Sequence, residues 1–210
     1  VFMSLETMAA MKAIVEAVEA AVALPPFRAA ALEWAPDISA ADFGPAGVLM
    51  GYDFHLTEAG PVLIEVNTNA GGAFLNAILA KAQRVCCFEA GLGIDPSRPK
   101  QDFDLEIVAM FESEWKHQRS SGRPAVIAIV DDEPETQHLY PELLLAKAVL
   151  EKHGFSAIIA DPKTLVGSDD GLSVDGVHID LVYNRLVDFG LDEPDHGALR
   201  EAYLHEKVVV

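Results

Sequence analysis

Gly51-Tyr52-Asp53-Phe54-His55-Leu56-Thr57, then Glu58-Ala59-Gly60, then Pro61-Val62-Leu63-Ile64-Glu65-Val66-Asn67 is the stretch that decides how this chain is built. Two alternating runs flank a short loop containing Gly, which predicts an antiparallel hairpin within residues 48–67. With a three-residue loop Thr57 faces Pro61, Asp53 lies directly opposite Glu65, and Gly51 lies opposite Asn67. Side chains alternate across a strand. One face is then Tyr52, Phe54, Leu56, Val62, Ile64 and Val66, uniformly apolar and expected to pack on a core. The other face holds Asp53, His55, Glu65 and Asn67. Opposed residues have Cβ atoms roughly 4.5–5.5 Å apart, and like charges there repel. Either water screens the two acids or a cation bridges them. Oxygen-only ligands of this kind suit Mg²⁺. A slip of one residue in the register separates the acids.

Outward from the hairpin, Thr68-Asn69-Ala70-Gly71-Gly72 is a small-residue loop that runs into a helix reaching Glu89 and closed by Gly91. Free backbone N–H groups at such a helix start favour an anion, although Gly71-Gly72 also reads as a plain turn. Upstream, Ser4 caps a helix whose apolar residues recur from Leu5 to Val22, and Pro25-Pro26 stops it. A shorter helix follows around Phe27 to Trp34. Downstream, residues near 95–101 read as a linker, and Phe103 to His117 as a helix. The texture changes at Ser120. Ala125 to Val130 is a continuous apolar run, as in a buried parallel strand. Leu139 to His153 is a helix closed by Gly154, and Ala157 to Ala160 a second strand. Asp175-Gly176 marks a type I′ hairpin leading into Leu181-Val182-Tyr183. Asp195 is expected to cap a helix to about Glu206, and a last strand begins at Val208. The β-α-β order implies a mainly parallel sheet. The fold class is therefore α/β, with one portion over residues 1–119 and a second over 120–210.

Composition bounds what such a chain does. Fifteen Lys plus Arg stand against 33 Asp plus Glu in 210 residues, a net charge of −18. That excess excludes general nucleic-acid binding, which needs clustered basic residues, and binding to an anionic membrane surface. It leaves room for a nucleotide held through a divalent cation. Half of the residues are apolar and mean hydropathy is +0.20, enough for a packed core. No apolar run reaches the ~18 residues of a membrane span, and no signal segment opens the chain. The adjacent Cys86 and Cys87 make neither a disulfide framework nor a zinc site and read as buried helix thiols, so a cytoplasmic location is expected. The start at Val1-Phe2 and the apolar end at Lys207-Val208-Val209-Val210 suggest a longer protein. His138, His153, His196 and His205 show no ligand spacing and read as exposed helix residues.

Glu65-Val66-Asn67-Thr68-Asn69-Ala70-Gly71-Gly72, preceded by Asp53 on a partner strand, resembles the metal-binding strand pair of the ATP-grasp ligases. The match covers roughly residues 48–75. In that family the pair usually closes the catalytic domain near its end. Here an α/β segment follows it, an order similar to that of the circularly permuted members, the glutathionylspermidine synthase-like and glutathione synthetase-like ligases. The resemblance implies Mg²⁺ or Mn²⁺ at Asp53, Glu65 and Asn67, with ATP as co-substrate. Asn69, Gly71 and Gly72 then line the phosphate or substrate end. It implies an acyl phosphate made from a small carboxylic acid and displaced by a small amine to give an amide. The segment 120–210 takes the part of the substrate-side domain. The ATP-binding lysine strands are expected after Val210, so the isolated chain is expected to be inactive.

Two further stretches carry chemistry. Arg185 ends an apolar strand, at the carboxyl end where α/β sheets bind ligands, and is a candidate for holding a carboxylate or phosphate. It could equally pair with Asp188 or Glu193. Ala128-Ile129-Val130-Asp131-Asp132-Glu133 resembles the first strand of a response-regulator receiver, where paired acids bind Mg²⁺. The corresponding later strand, Asp180-Leu181-Val182-Tyr183, runs on into Asn184-Arg185, and no Asp stands at its acceptor end. The alternative function is a non-catalytic signalling or binding module with a receiver-like half.

Overall fold

A computed structural model describes residues 3–89 and 102–210. The expected linker near 95–101 and the helix stop at Gly91 lie outside the described residues, as do the surroundings of Cys86 and Cys87. The chain is α/β. Helix α1 (Leu5–Val22) starts where Ser4 accepts a hydrogen bond from the Thr7 N–H, and α2 (Pro25–Leu32) opens on the two prolines. The hairpin β1 (Gly51–Thr57) and β2 (Gly60–Asn67) follows, then α3 (Ala73–Glu89) and α4 (Phe103–Arg119).

The second portion is built on a parallel sheet. Strand β3 (Val126–Val130) lies between β4 (Ser156–Ala160) and β8 (Leu181–Asn184). Helix α5 (Tyr140–Lys152) connects β3 to β4. An antiparallel meander, β5 (Leu165–Ser168), β6 (Gly171–Val174) and β7 (Val177–Ile179), interrupts the route to β8. Asp175 and Gly176 both have positive φ, 50° and 76°, as the type I′ turn between β6 and β7 requires. Helix α6 (Gly197–Leu204) leads to Val208-Val209, and Val209 makes a parallel bridge to Leu181 on the outer side of β8. Asp195 is not the cap of this helix. A 3₁₀ turn over Pro194–His196 precedes it, and no side chain caps α6.

Strand β3 is an unbroken apolar run because it is covered twice. Ile127 and Ile129 enter a core with Leu143 and Leu150 of α5, Phe111 of α4 and Phe74 of α3. Ala128 and Val130 enter the opposite core with Leu172, Ile179 and Leu199. Composition sets α4 in the first portion, yet Ile107 and Phe111 pack on this sheet. The hairpin layer is thinner: no residue of α1 is fully buried. Arg185 and Leu186, just after β8, bond the segment that follows the hairpin, and this junction positions the site.

Candidate functional site

The hairpin pairs Gly51 with Asn67, Tyr52 with Val66 and Asp53 with Glu65, as expected, but by another route. Gly60 joins the ladder opposite Thr57, so only Glu58 and Ala59 form the turn. Beyond it Leu56 faces Pro61, His55 faces Val62 and Phe54 faces Leu63. Ile64 is then an extra residue, and the shift it introduces restores the opposition of Asp53 and Glu65. The apolar face changes accordingly. Leu63, not Ile64, sits half-buried beside Phe54, while Ile64 and Val62 are 65% and 53% exposed and Leu56 is exposed too. The uniformly apolar face was the wrong set because a bulge inverts the alternation on one side of itself.

Asp53 and Glu65 are both exposed, and Asn67 is half-buried on the strand that carries Glu65. The ion pairs among the described residues lie elsewhere, for example Lys152–Asp104 at 2.7 Å and Arg28–Asp42 at 2.9 Å. Two carboxylates and an amide oxygen are hard donors that fit Mg²⁺ or Mn²⁺ with open positions left for water or phosphate. Among the described residues no group of three or more His, Cys, Asp and Glu side chains is arranged to hold a metal ion by itself.

One residue beyond Asn67, the loop turns onto the parallel sheet. Asn69 donates its side-chain amide to the Leu186 carbonyl at 2.9 Å. Arg185 donates through Nη1 to the Asn69 side-chain oxygen at 2.6 Å and to the Asn69 and Ala70 carbonyls at 3.2 and 2.9 Å. Arg185 is only 8% exposed, and its Nε is buried without a partner. It is thus the anchor of the 68–72 loop, and neither Asp188 nor Glu193 is its partner. A Cβ on Gly71 would stand 2.5 Å from a Leu139 methyl and 3.2 Å from Arg185, so the close seat of the loop needs a glycine. Gly72 has φ +91°, a turn that glycine makes without strain, immediately before α3.

The start of α3 already has an anion. Glu142 of α5, 1% exposed, accepts long hydrogen bonds of 3.4 Å from the Phe74 and Leu75 N–H groups. The charge that a helix N-terminus attracts comes here from the protein itself. A cavity of about 220 Å³ lies beside this junction, lined by Val48, Asn69, Phe111, Asn184, Leu186 and Phe189. No family model matches the chain, and no curated protein matches it.

The receiver-like acids have a different environment. Burial pushes the Asp131 carboxyl up, and its Oδ1 accepts the Asp132 N–H at 2.9 Å. Asn184 stands where an acceptor Asp would be, with its side-chain oxygen on the Leu186 N–H at 3.0 Å. His196 overturns the expectation of an exposed helix residue: it is 2% exposed. Its Nδ1 lies 2.8 Å from Asp188 Oδ2 and its Nε2 3.0 Å from Asp132 Oδ1. No local signal marks this bridge, because Asp132 is 64 residues away in sequence. His138 and His205 are exposed, and His153 is half-buried with Nε2 unpartnered.

Proposed function

We propose that this chain carries the metal-binding part of an ATP-dependent carboxylate–amine ligase of ATP-grasp type. The observation that supports it is the opposition of Asp53 and Glu65 on an exposed strand face, restored by a bulge and lacking an ion-pair partner among the described residues. Asp53, Glu65 and Asn67 would hold Mg²⁺ or Mn²⁺. The ion, when bound, offsets phosphate charge during transfer of the terminal phosphoryl group of ATP. The carboxylate substrate takes that group as an acyl phosphate, ADP leaves, and the amine then displaces phosphate to form the amide. The loop 68–72 follows Asn67 directly and is held rigidly by Arg185, which suits a positioning role next to the ion. A cytoplasmic location and small-molecule partners, with neither nucleic acid nor membrane, go with this reading.

Titration with Mn²⁺ followed by water-proton relaxation, with and without ATP, tests it. The wild-type chain is expected to enhance relaxation, and Glu65→Gln to lose at least about tenfold in apparent affinity, the scale that substitution of even an outer-shell partner reaches. Unchanged circular dichroism in the variant secures the fold. Equal Mn²⁺ binding by wild type and Glu65→Gln would sink the assignment and leave the non-catalytic module as the better reading.

A further inference from the structure

We propose that His196 is a proton-operated latch: as an imidazolium it clamps the segment 185–196 to the end of β3, and loss of its proton frees the 68–72 loop. The geometry carries this. A neutral imidazole has one N–H and can donate to one acceptor only. His196 has a carboxylate oxygen at hydrogen-bond distance on each ring nitrogen, from Asp188 and from Asp132. Both bonds are made at once only by the cation. With the proton gone, one nitrogen lone pair faces a carboxylate, and that part-buried contact becomes repulsive.

The clamp has a defined reach. Asp188 also accepts the Glu193 N–H at 2.9 Å, so it closes the turn as well as holding the ring. Between Asn184 and this turn lie Arg185 and Leu186, the two residues that bond Asn69. Leu186 is buried, whereas Val187 and Phe189 point outward, 79% and 62% exposed. The segment is therefore pinned at its base by Leu186 and at its far end by His196. Phe189 lines the same cavity as Asn69, so release of the far end opens the rim of that cavity.

The surrounding charges favour the cation. Asp131, Asp132 and Glu133 stand at the end of β3, and Asp188, Asp192 and Glu193 in the segment after β8. Asp195 flanks the ring on its own turn. Three cations oppose them, the first being Arg185, whose charge acts on Asp131. Lys163 is held by Glu133 at 3.1 Å, with Asp161 and Asp195 nearby, and Arg200 lies 3.9 Å from Asp192. Burial works to lower the His196 pKa, but the two bonded carboxylates outweigh it and raise the value above the ordinary one. A raised pKa means that the contribution of the clamp is complete below the ordinary histidine value and is lost as pH rises through the folded one.

The test uses the chain without metal or nucleotide, so its outcome is separate from that of the ligase reading. Nitrogen NMR of the His196 ring, followed across pH, is expected to show both nitrogens protonated below its midpoint, with that midpoint above the ordinary histidine value. Hydrogen exchange of 68–72 and 185–193, corrected for intrinsic rates, is expected to be about tenfold or more faster above the His196 midpoint than below it, the scale of one charge-assisted bond. His196→Gln should exchange fast at both pH values. Should that variant fail to fold, Asp132→Asn serves: it removes one carboxylate and must move the midpoint down. A ring midpoint no higher than the ordinary histidine value, or exchange of 68–72 that is level across the midpoint, overturns the latch.

Discussion

Two pairs of acids stand out among the described residues, and the fold treats them in opposite ways. Asp132 and Asp188 close on a buried imidazole that supplies the missing charge from within. Asp53 and Glu65 meet on an exposed hairpin, away from the ion pairs of the described residues. The first pair is finished by folding and belongs to the architecture. The second is left open, which is the condition a site must meet to accept a cation from solution. Two carboxylates brought close are common to both; what separates them is whether the fold brings its own cation.

The closed pair gives the largest effect. His196→Leu strands two carboxylates beside an apolar side chain. The loss is expected to be about 2 kcal/mol, below the ~3–5 of a fully buried pair because Asp132 is partly exposed. Urea unfolding measures it. A loss below about 0.5 kcal/mol, the level of ordinary surface substitutions, would place the bridge among the weak surface pairs.

Arg185→Met comes next. It removes three hydrogen bonds from the 68–72 loop and leaves their oxygens to water or to nothing. About 1–2 kcal/mol of stability should go, with faster hydrogen exchange confined to 68–75. Exchange that rises across β3 and β8 instead would make Arg185 a core residue rather than a loop anchor.

The acid limb of the pH profile is smaller. Burial works to raise the Asp188 pKa, but the Glu193 N–H and His196 overcome it and hold the carboxyl below its ordinary value. A depressed pKa contributes stability above the ordinary carboxylate range, and that contribution is lost as pH falls through the folded value. With His196 set high and Asp188 set low, the closed pair should be most stable in the mildly acidic window between the ordinary carboxylate and the ordinary histidine values. Asp188→Asn should flatten the acid limb of a stability–pH curve.

The open pair gives the smallest effect, and with the opposite sign. Asp53→Asn removes a like-charge repulsion across the ladder, so without metal the variant should be level with wild type or gain ~0.3 kcal/mol. A loss of 1 kcal/mol or more would show that Asp53 holds the fold together and would remove the contrast with Asp132 and Asp188.

Sequence reading reached what local patterns encode. The 3.6-residue recurrence in α1, the apolar run of β3 and the Asp175-Gly176 turn each depend on neighbours within a few positions, and each element stands where expected. The opposition of Asp53 and Glu65 was legible, but through two offsets that cancel. The turn is one residue shorter than expected, and Ile64 adds one back. What selects Leu63 over Ile64 for the covered face is packing beside Phe54 against α1, which no count of residues reveals. The partners of Arg185, Glu142 and His196 were out of reach for a related reason. Each is joined to residues more than 60 positions away, by contacts that exist only once the loop and the sheet have met.

The bulge at Ile64 also divides the hairpin into two independently set halves. Inward of it, Tyr52 with Val66 and Asp53 with Glu65 are fixed by what they join; outward, the pairing is counted from the Glu58-Ala59 turn. An irregularity of this kind acts as a slip joint, taking up a change of length on one side without passing it to the other. For protein engineering, the tip beyond Phe54 is therefore the place for a fluorophore or an affinity handle: its exposed turn can be rebuilt while the two acids keep their partners.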